Sequence, residues 1–267
     1  MTVNLHGSVQ GEGAPVVLLH GLFGNGNNLG ALARALRDRY RVYSVDLPNH
    51  GRSGWLHRSD IATLAHQLLP WLDGEGLECS AFVGHSLGGK IAMQLALEYP
   101  WRVSALVVAD IAPVAYPPHH DQVFAALDAV DGGECSTRAE AAEVMAEHLD
   151  EEAVIQFLLM SLQRGEDGIC RWRFNLEGIR EGYSAVRDGL HARSAFPGPA
   201  LFVKGGDSDY IREEHRAAIL GLFPAASLKV IPGTGHWLHA QEPRLFNGIV
   251  GRFLDSSLEM GRAGAHR

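Results

Sequence analysis

Ala81-Phe82-Val83-Gly84-His85-Ser86-Leu87-Gly88-Gly89-Lys90-Ile91-Ala92-Met93-Gln94-Leu95-Ala96 is the stretch on which the fold turns. An apolar run feeds a G-x-S-x-G pentad, and a helix-like segment follows it. A serine at a sharp strand-to-helix turn is held in a strained backbone conformation that pushes its hydroxyl out at the edge of a parallel sheet. Glycines two residues to either side are required where a Cβ would strike the neighbouring strand or helix. The pentad alone is only moderately specific, because glycine and serine are common. Its position between a buried strand and a helix predicts a nucleophile at Ser86.

Outward from this point the chain alternates. Short apolar runs rich in β-branched residues lie at 16–19, 41–45, 81–83, 105–109, 200–203 and 228–231. Their near-continuous apolarity suits strands covered on both faces of a parallel sheet. Helical patterns fall between them at 29–37, 61–72, 90–98, 213–222 and 244–254, with Pro100 closing the third and Pro243 opening the last. The alternation predicts an α/β fold, a mostly parallel, doubly wound sheet with ligands at the carboxyl ends of its strands. Residues 116–196 break the rhythm with helical periodicity and no clear strand. They read as an all-helical lid inserted between two halves of the core, 1–115 and 197–260. The tail, 261–267, is expected to be disordered.

Composition narrows the function. The 267 residues are 46% hydrophobic and 20% charged, an ordinary globular balance, with a net charge of −8. The acidic balance and the lack of any Lys/Arg block exclude a nucleic-acid partner. The three cysteines, Cys79, Cys135 and Cys170, form no C-x-x-C pair, so neither a zinc site nor a disulfide framework is expected. The first residues lack a signal peptide's basic start and apolar core, and no run approaches the roughly 20 apolar residues of a membrane span. A cytoplasmic location follows by default.

Two further motifs complete a constellation. His20-Gly21-Leu22-Phe23-Gly24 follows the run 16–19. Its backbone can turn free N–H groups to the reacting centre, so the N–H groups of Leu22 and Leu87 are the candidates for an oxyanion hole. Gly233-Thr234-Gly235-His236-Trp237 follows the run 228–231, and its glycines let the imidazole of His236 reach the serine. Among 14 histidines, His236 differs in lying on a loop at the correct sheet edge, after the serine and the candidate acids, where the order Ser, acid, His of this architecture places the base. His20, His50 and His85 read as structural or pocket-lining groups. The acid stays open on these grounds. Asp110 ends the run 105–109, whereas the commonest arrangement favours the later loop with Asp207 and Asp209.

Together these residues resemble the α/β-hydrolase superfamily over nearly the whole chain. Within it, His20-Gly21-Leu22-Phe23-Gly24, Asn49-His50-Gly51, Gly84 to Lys90, Asp110-Ile111-Ala112-Pro113-Val114 with Tyr116, and Gly235-His236-Trp237 resemble the YbfF-type esterases. So does Val154-Ile155-Gln156-Phe157-Leu158-Leu159. The resemblance implies hydrolysis of carboxylic esters, and of acyl thioesters such as acyl-CoA, without metal or organic cofactor. The expected partner is a small-molecule acyl substrate, and the chain is read as a monomer or homodimer. The resemblance also implies Asp110 as the acid, although the carboxylates of Asp207 and Asp209 depart from the family's pattern. Alternatives are a C–C bond hydrolase, a peptidase, or a non-catalytic protein that closes its lid on a small molecule.

Phe23, Tyr116, Tyr210 and Trp237 are expected to line the substrate pocket, with lid aromatics behind them. Lys90 is not required by the chemistry and reads as a stem that reaches solvent or pairs with a carboxylate. Arg164, Arg171 and Arg173 are the arginines available to a phosphate-bearing leaving group, with solvated charge their expected role.

Overall fold

A computed structural model describes residues 2–57 and 59–264, with side chains as far as residue 259. The first half runs β1 (Gly7–Gln10), β2 (Ala14–Leu19), α1 (Gly30–Leu36), β3 (Tyr40–Val45), α2 (Ile61–Gly74), β4 (Ser80–His85), α3 (Leu87–Glu98) and β5 (Val103–Ala109). An insertion follows, with α4 (Asp121–Gly132), α5 (Arg138–Ala146), α6 (Glu152–Leu159), β6 (Leu162–Arg164), β7 (Cys170–Trp172) and α7 (Leu176–Val186). The chain then returns to the core through β8 (Ala200–Gly205), α8 (Arg216–Leu222), β9 (Ala226–Ile231), α9 (Leu238–Gln241) and α10 (Pro243–Gly264).

Seven strands form one sheet in the order β1-β3-β2-β4-β5-β8-β9, parallel except for β1, which pairs antiparallel with β3. The apolar runs are continuous because the pleat sends alternate residues into two separate cores. Val17, Leu19, Phe82, Leu106 and Val108 join α2, α3 and α8 on one face. Val16, Leu18, Ala81, Val83, Ala105 and Val107 join α1 and α10 on the other. Burying each such Val, Leu or Phe contributes about 1.5–3 kcal/mol, so a polar residue on either face would be costly. The two edge strands depart from this pattern: β1 is largely exposed, and β9 has exposed residues from Ser227 to Val230.

The insertion has its own apolar core, built on Phe124, Leu127, Met145, Leu158 and Trp172. It is mainly helical, but β6 and β7 pair as an antiparallel hairpin that an all-helical reading leaves out. Each strand has only three residues, too few for alternation to be read. The backbone of Asn49 and His50 meets this insertion directly: Asn175 N–H donates to Asn49 O at 2.8 Å, and His50 forms a bridge with Phe174. Helix α10 runs to Gly264. Residues 265–267 of the tail expected to be disordered lie outside the described residues. Among the described residues no helix is long and apolar enough to cross a membrane.

Candidate active site

Ser86 sits between β4 and α3 with φ 52° and ψ −117°, a left-handed backbone angle that serine adopts only under constraint. Crowding around it explains the two glycines. A Cβ on Gly84 would lie 2.2 Å from Gly88 O, and one on Gly88 would lie 2.3 Å from Leu19 O. The loop after β2 passes over the same point, since a Cβ on Gly21 would come within 3.3 Å of Ser86 Cβ. Helix α3 starts at this turn, so its positive end faces the hydroxyl. The N–H groups of Leu22 and Leu87 donate to no hydrogen bond among the described residues.

His236 and Asp110 meet from different strand ends. The carboxylate of Asp110 is fully buried (0% exposed), and its backbone also has positive φ, at 51°. His236 Nδ1–H donates to Asp110 Oδ2 at 2.9 Å. Gly205 N–H donates to Oδ1 at 3.0 Å, and the Ser208 hydroxyl donates to Oδ2. A carboxylate that accepts from Nδ1–H fixes the imidazole tautomer and leaves the Nε2 lone pair free. Asp207 and Asp209 are exposed, line the same cavity and make no hydrogen bond to His236 among the described residues. Tyr210 stacks on the imidazole with ring centroids 3.9 Å apart. His85 Nε2–H donates to the backbone oxygen of His236 at 2.9 Å, holding the loop from a second side.

Ser86, His236, Leu22 and Leu87 open on one cavity of about 540 Å³. Phe23, Tyr116, Tyr210 and Trp237 line it too, joined from the insertion by Phe157 and Tyr183. Phe23 itself is buried, with its ring edge-on to Phe124 at 5.5 Å, so it also ties the loop to the insertion. Tyr116 OH accepts from Ala112 N–H at 2.8 Å and donates to Tyr210 O at 2.5 Å. The Ser86 hydroxyl makes no hydrogen bond among the described residues. Contacts of this kind commonly tighten only when substrate is bound. No group of three or more His, Cys, Asp or Glu suited to a metal occurs among the described residues.

Two neutral histidines brace the loop after β2. Leu47 N–H donates to His20 Nε2 at 3.0 Å, so His20 Nδ1–H donates to Gly21 O. Phe23 N–H donates to His50 Nε2 at 3.1 Å, so His50 Nδ1–H donates to Pro48 O. Burial pushes His20 down to about 4 and His50 to about 3, the latter helped by neighbouring His20. An unfolded chain protonates its histidines near 6.5, so below that pH the unfolded state binds the extra protons. Stability is therefore complete above about pH 6.5 and is lost as pH falls towards 4 and 3, by about 3 kcal/mol for His20 and about 5 kcal/mol for His50. Circular-dichroism melts should show Tm falling steeply between pH 6.5 and 4. A flat Tm across that interval would contradict this account.

Lys90 departs from its expected role. It is 1% exposed, and its ammonium donates to the carbonyls of Arg187 at 2.9 Å and Asp188 at 2.6 Å, with Val186 O at 3.5 Å. It thus serves the orphan carbonyls at the end of α7, where a cation is favoured. Burial lowers it to about 8, against the opposing pull of Asp188. Arg171 pairs with Asp167, Arg164 Nε–H donates to Gly168 O, and neither these nor Arg173 reaches the cavity. Among the described residues, the arginine that does is Arg187.

The sequence model of the Alpha/beta hydrolase family matches residues 16–249. This chain belongs to that family. The hydrolase is 41% identical over 247 residues to Esterase YbfF of Escherichia coli (strain K12), covering 92% of this chain and 95% of the relative. It is 36% identical over 247 residues to the sn-1-specific diacylglycerol lipase ABHD11 of Mus musculus, covering 90% of this chain and 80% of that protein. Among solved structures it resembles a marine microorganism esterase with a TM-score of 0.92 and 36% identity, over 95% of this chain and all of that one. It is a hydrolase of the YbfF type.

Proposed function

We propose that this hydrolase cleaves carboxylic esters through an acyl-enzyme on Ser86. The observation that carries the reading is the His236–Asp110 hydrogen bond, whose free Nε2 opens on the cavity that Ser86 shares. The names of the relatives, esterase and diacylglycerol lipase, support the choice of esters.

Nε2 of His236 takes the hydroxyl proton as Ser86 Oγ attacks the ester carbonyl. The N–H groups of Leu22 and Leu87 stabilise the oxyanion, each by a factor of about a hundred or more. Asp110 keeps the imidazole in its productive tautomer and stabilises its cation. The alcohol leaves with the proton from His236, and water, activated by the same Nε2, releases the acid. A thioester follows the same route with a thiol as leaving group. The insertion acts as a lid that shapes the acyl pocket through Phe157 and Tyr183.

Intact-mass measurement after treatment with an alkyl fluorophosphonate tests the reading. One adduct is expected, mapping to Ser86 and accompanied by loss of p-nitrophenyl butyrate hydrolysis. An unlabelled protein that turns over no ester would instead favour a binding module. A panel of acyl esters and acyl-CoA thioesters then ranks the leaving groups.

A further inference from the structure

We propose that the cavity also holds an anionic group of the substrate, a carboxylate or a phosphate, on the guanidinium of Arg187. The proposal rests on the esterase reading for the reacting centre, and on Arg187 itself for the anion.

Arg187 follows α7 and lines the cavity. Its backbone carbonyl is held by the Lys90 ammonium, and Lys90 is one helical turn from the nucleophile, with Lys90 N–H donating to Ser86 O at 3.1 Å. The Arg187 backbone is thereby anchored to the nucleophile's helix, and the residue lines the same cavity as Ser86. Its charge is not neutralised. Nη1–H donates to a neutral acceptor, Tyr116 O, at 2.5 Å, and the guanidinium lies 4.9 Å from the centre of the Tyr183 ring. Nε is sealed from solvent with no acceptor. Nη2 has no protein partner among the described residues and is not sealed.

Neighbouring charge does not compensate. The positive field of Arg187 helps push down both Lys90 and His120, whose basicity burial has already reduced. Asp188, the adjacent acid, is exposed and accepts from its own neighbour Gly189 N–H. The cavity carboxylates Asp150, Glu151, Asp207 and Asp209 make no ion pair with Arg187 among the described residues. Several other arginines do meet acids at the surface, as Arg39 does with Asp255 and Arg180 with Asp128. A half-buried cation without a counter-ion is costly to keep, and an anionic ligand removes that cost. The planar fork of Arg187 suits carboxylate and phosphate oxygens.

Matched ester pairs assayed by pH-stat at pH 7 test this on the full-length protein. Monomethyl adipate against methyl hexanoate places a carboxylate on the acyl side. Butyryl glycerol phosphate against butyryl glycerol places a phosphate on the leaving group. In at least one pair the wild type should favour the anionic member by about 10- to 100-fold in kcat/KM, the worth of a charge-assisted hydrogen bond. The pair that shows the preference identifies the source of the anion. Arg187→Gln should bring that ratio to near one, and Arg187→Lys should restore part of it. Wild-type ratios near one in both pairs, or a ratio that Arg187→Gln leaves unchanged, would overturn the proposal. If wild type hydrolyses neither neutral ester, the esterase reading fails instead. Calorimetric titration with adipate and inorganic phosphate then decides the anion site: binding to wild type but not to Arg187→Gln supports it, and equal or no binding refutes it.

Discussion

Replacing Ser86 with alanine is expected to lower kcat for p-nitrophenyl esters by about 10⁶, by analogy with a serine protease stripped of its nucleophile. Residual turnover over water would come from the oxyanion donors and from binding alone. The fold should survive, because the hydroxyl makes no hydrogen bond among the described residues. Alanine also meets the same left-handed backbone strain that serine already bears. The Tm of Ser86→Ala should thus stay close to wild type while activity disappears. A variant keeping more than a tenth of wild-type kcat would remove Ser86 from the mechanism.

Asp110→Asn is expected to cost about 10⁴ in kcat, through the tautomer rather than through lost contact. With a carboxylate, Oδ1 and Oδ2 accept from Gly205 N–H, the Ser208 hydroxyl and His236 Nδ1–H. An asparagine must turn its NH₂ towards one of these sides. If it faces His236, Nδ1 becomes the acceptor and Nε2 carries the proton, so the base is lost. If it faces Gly205, two donors oppose each other in a buried site, at a cost of about 1–3 kcal/mol of stability. Activity and Tm measured together separate the two orientations. Asp209→Asn, with its carboxylate exposed and unbonded to His236, should stay within a few-fold of wild type. A large loss there, with Asp110→Asn fully active, would transfer the acid role to the later loop.

Much of this architecture is legible in the chain because it depends on local rules. The strands β2 to β5 and β8 are apolar on both faces, so their runs stand out without any partner being known. β1, Gly-Ser-Val-Gln, does not: it is an edge strand with a single aliphatic residue and exposed faces. The glycines around Ser86 announce a tight turn, and the collisions a Cβ would meet there are the physical cause of that pattern. Pairings across the chain are less accessible. Asp110 and His236 are 126 residues apart, and sequence order alone could not choose among three aspartates. Ser208 lies between two of those aspartates and bonds the third, a role that a hydroxyl in a polar loop does not advertise. Lys90 misleads for a related reason. A lysine in a helix reads as solvated, and its acceptors are backbone carbonyls 96 to 98 residues away, which carry no signature in composition.

The Lys90 ammonium has a mechanical consequence. One atom, at the tip of a side chain from the nucleophile's own helix, pins the last turn of α7 to the core. Any swing of the insertion away from the sheet must pivot about this pin or break its hydrogen bonds together. The far side of the insertion, where α6 and Phe157 face Trp237, is free of that tether. Arg187, whose own carbonyl is one of the pinned acceptors, stands at this anchored end of the insertion rather than at the end that faces Trp237.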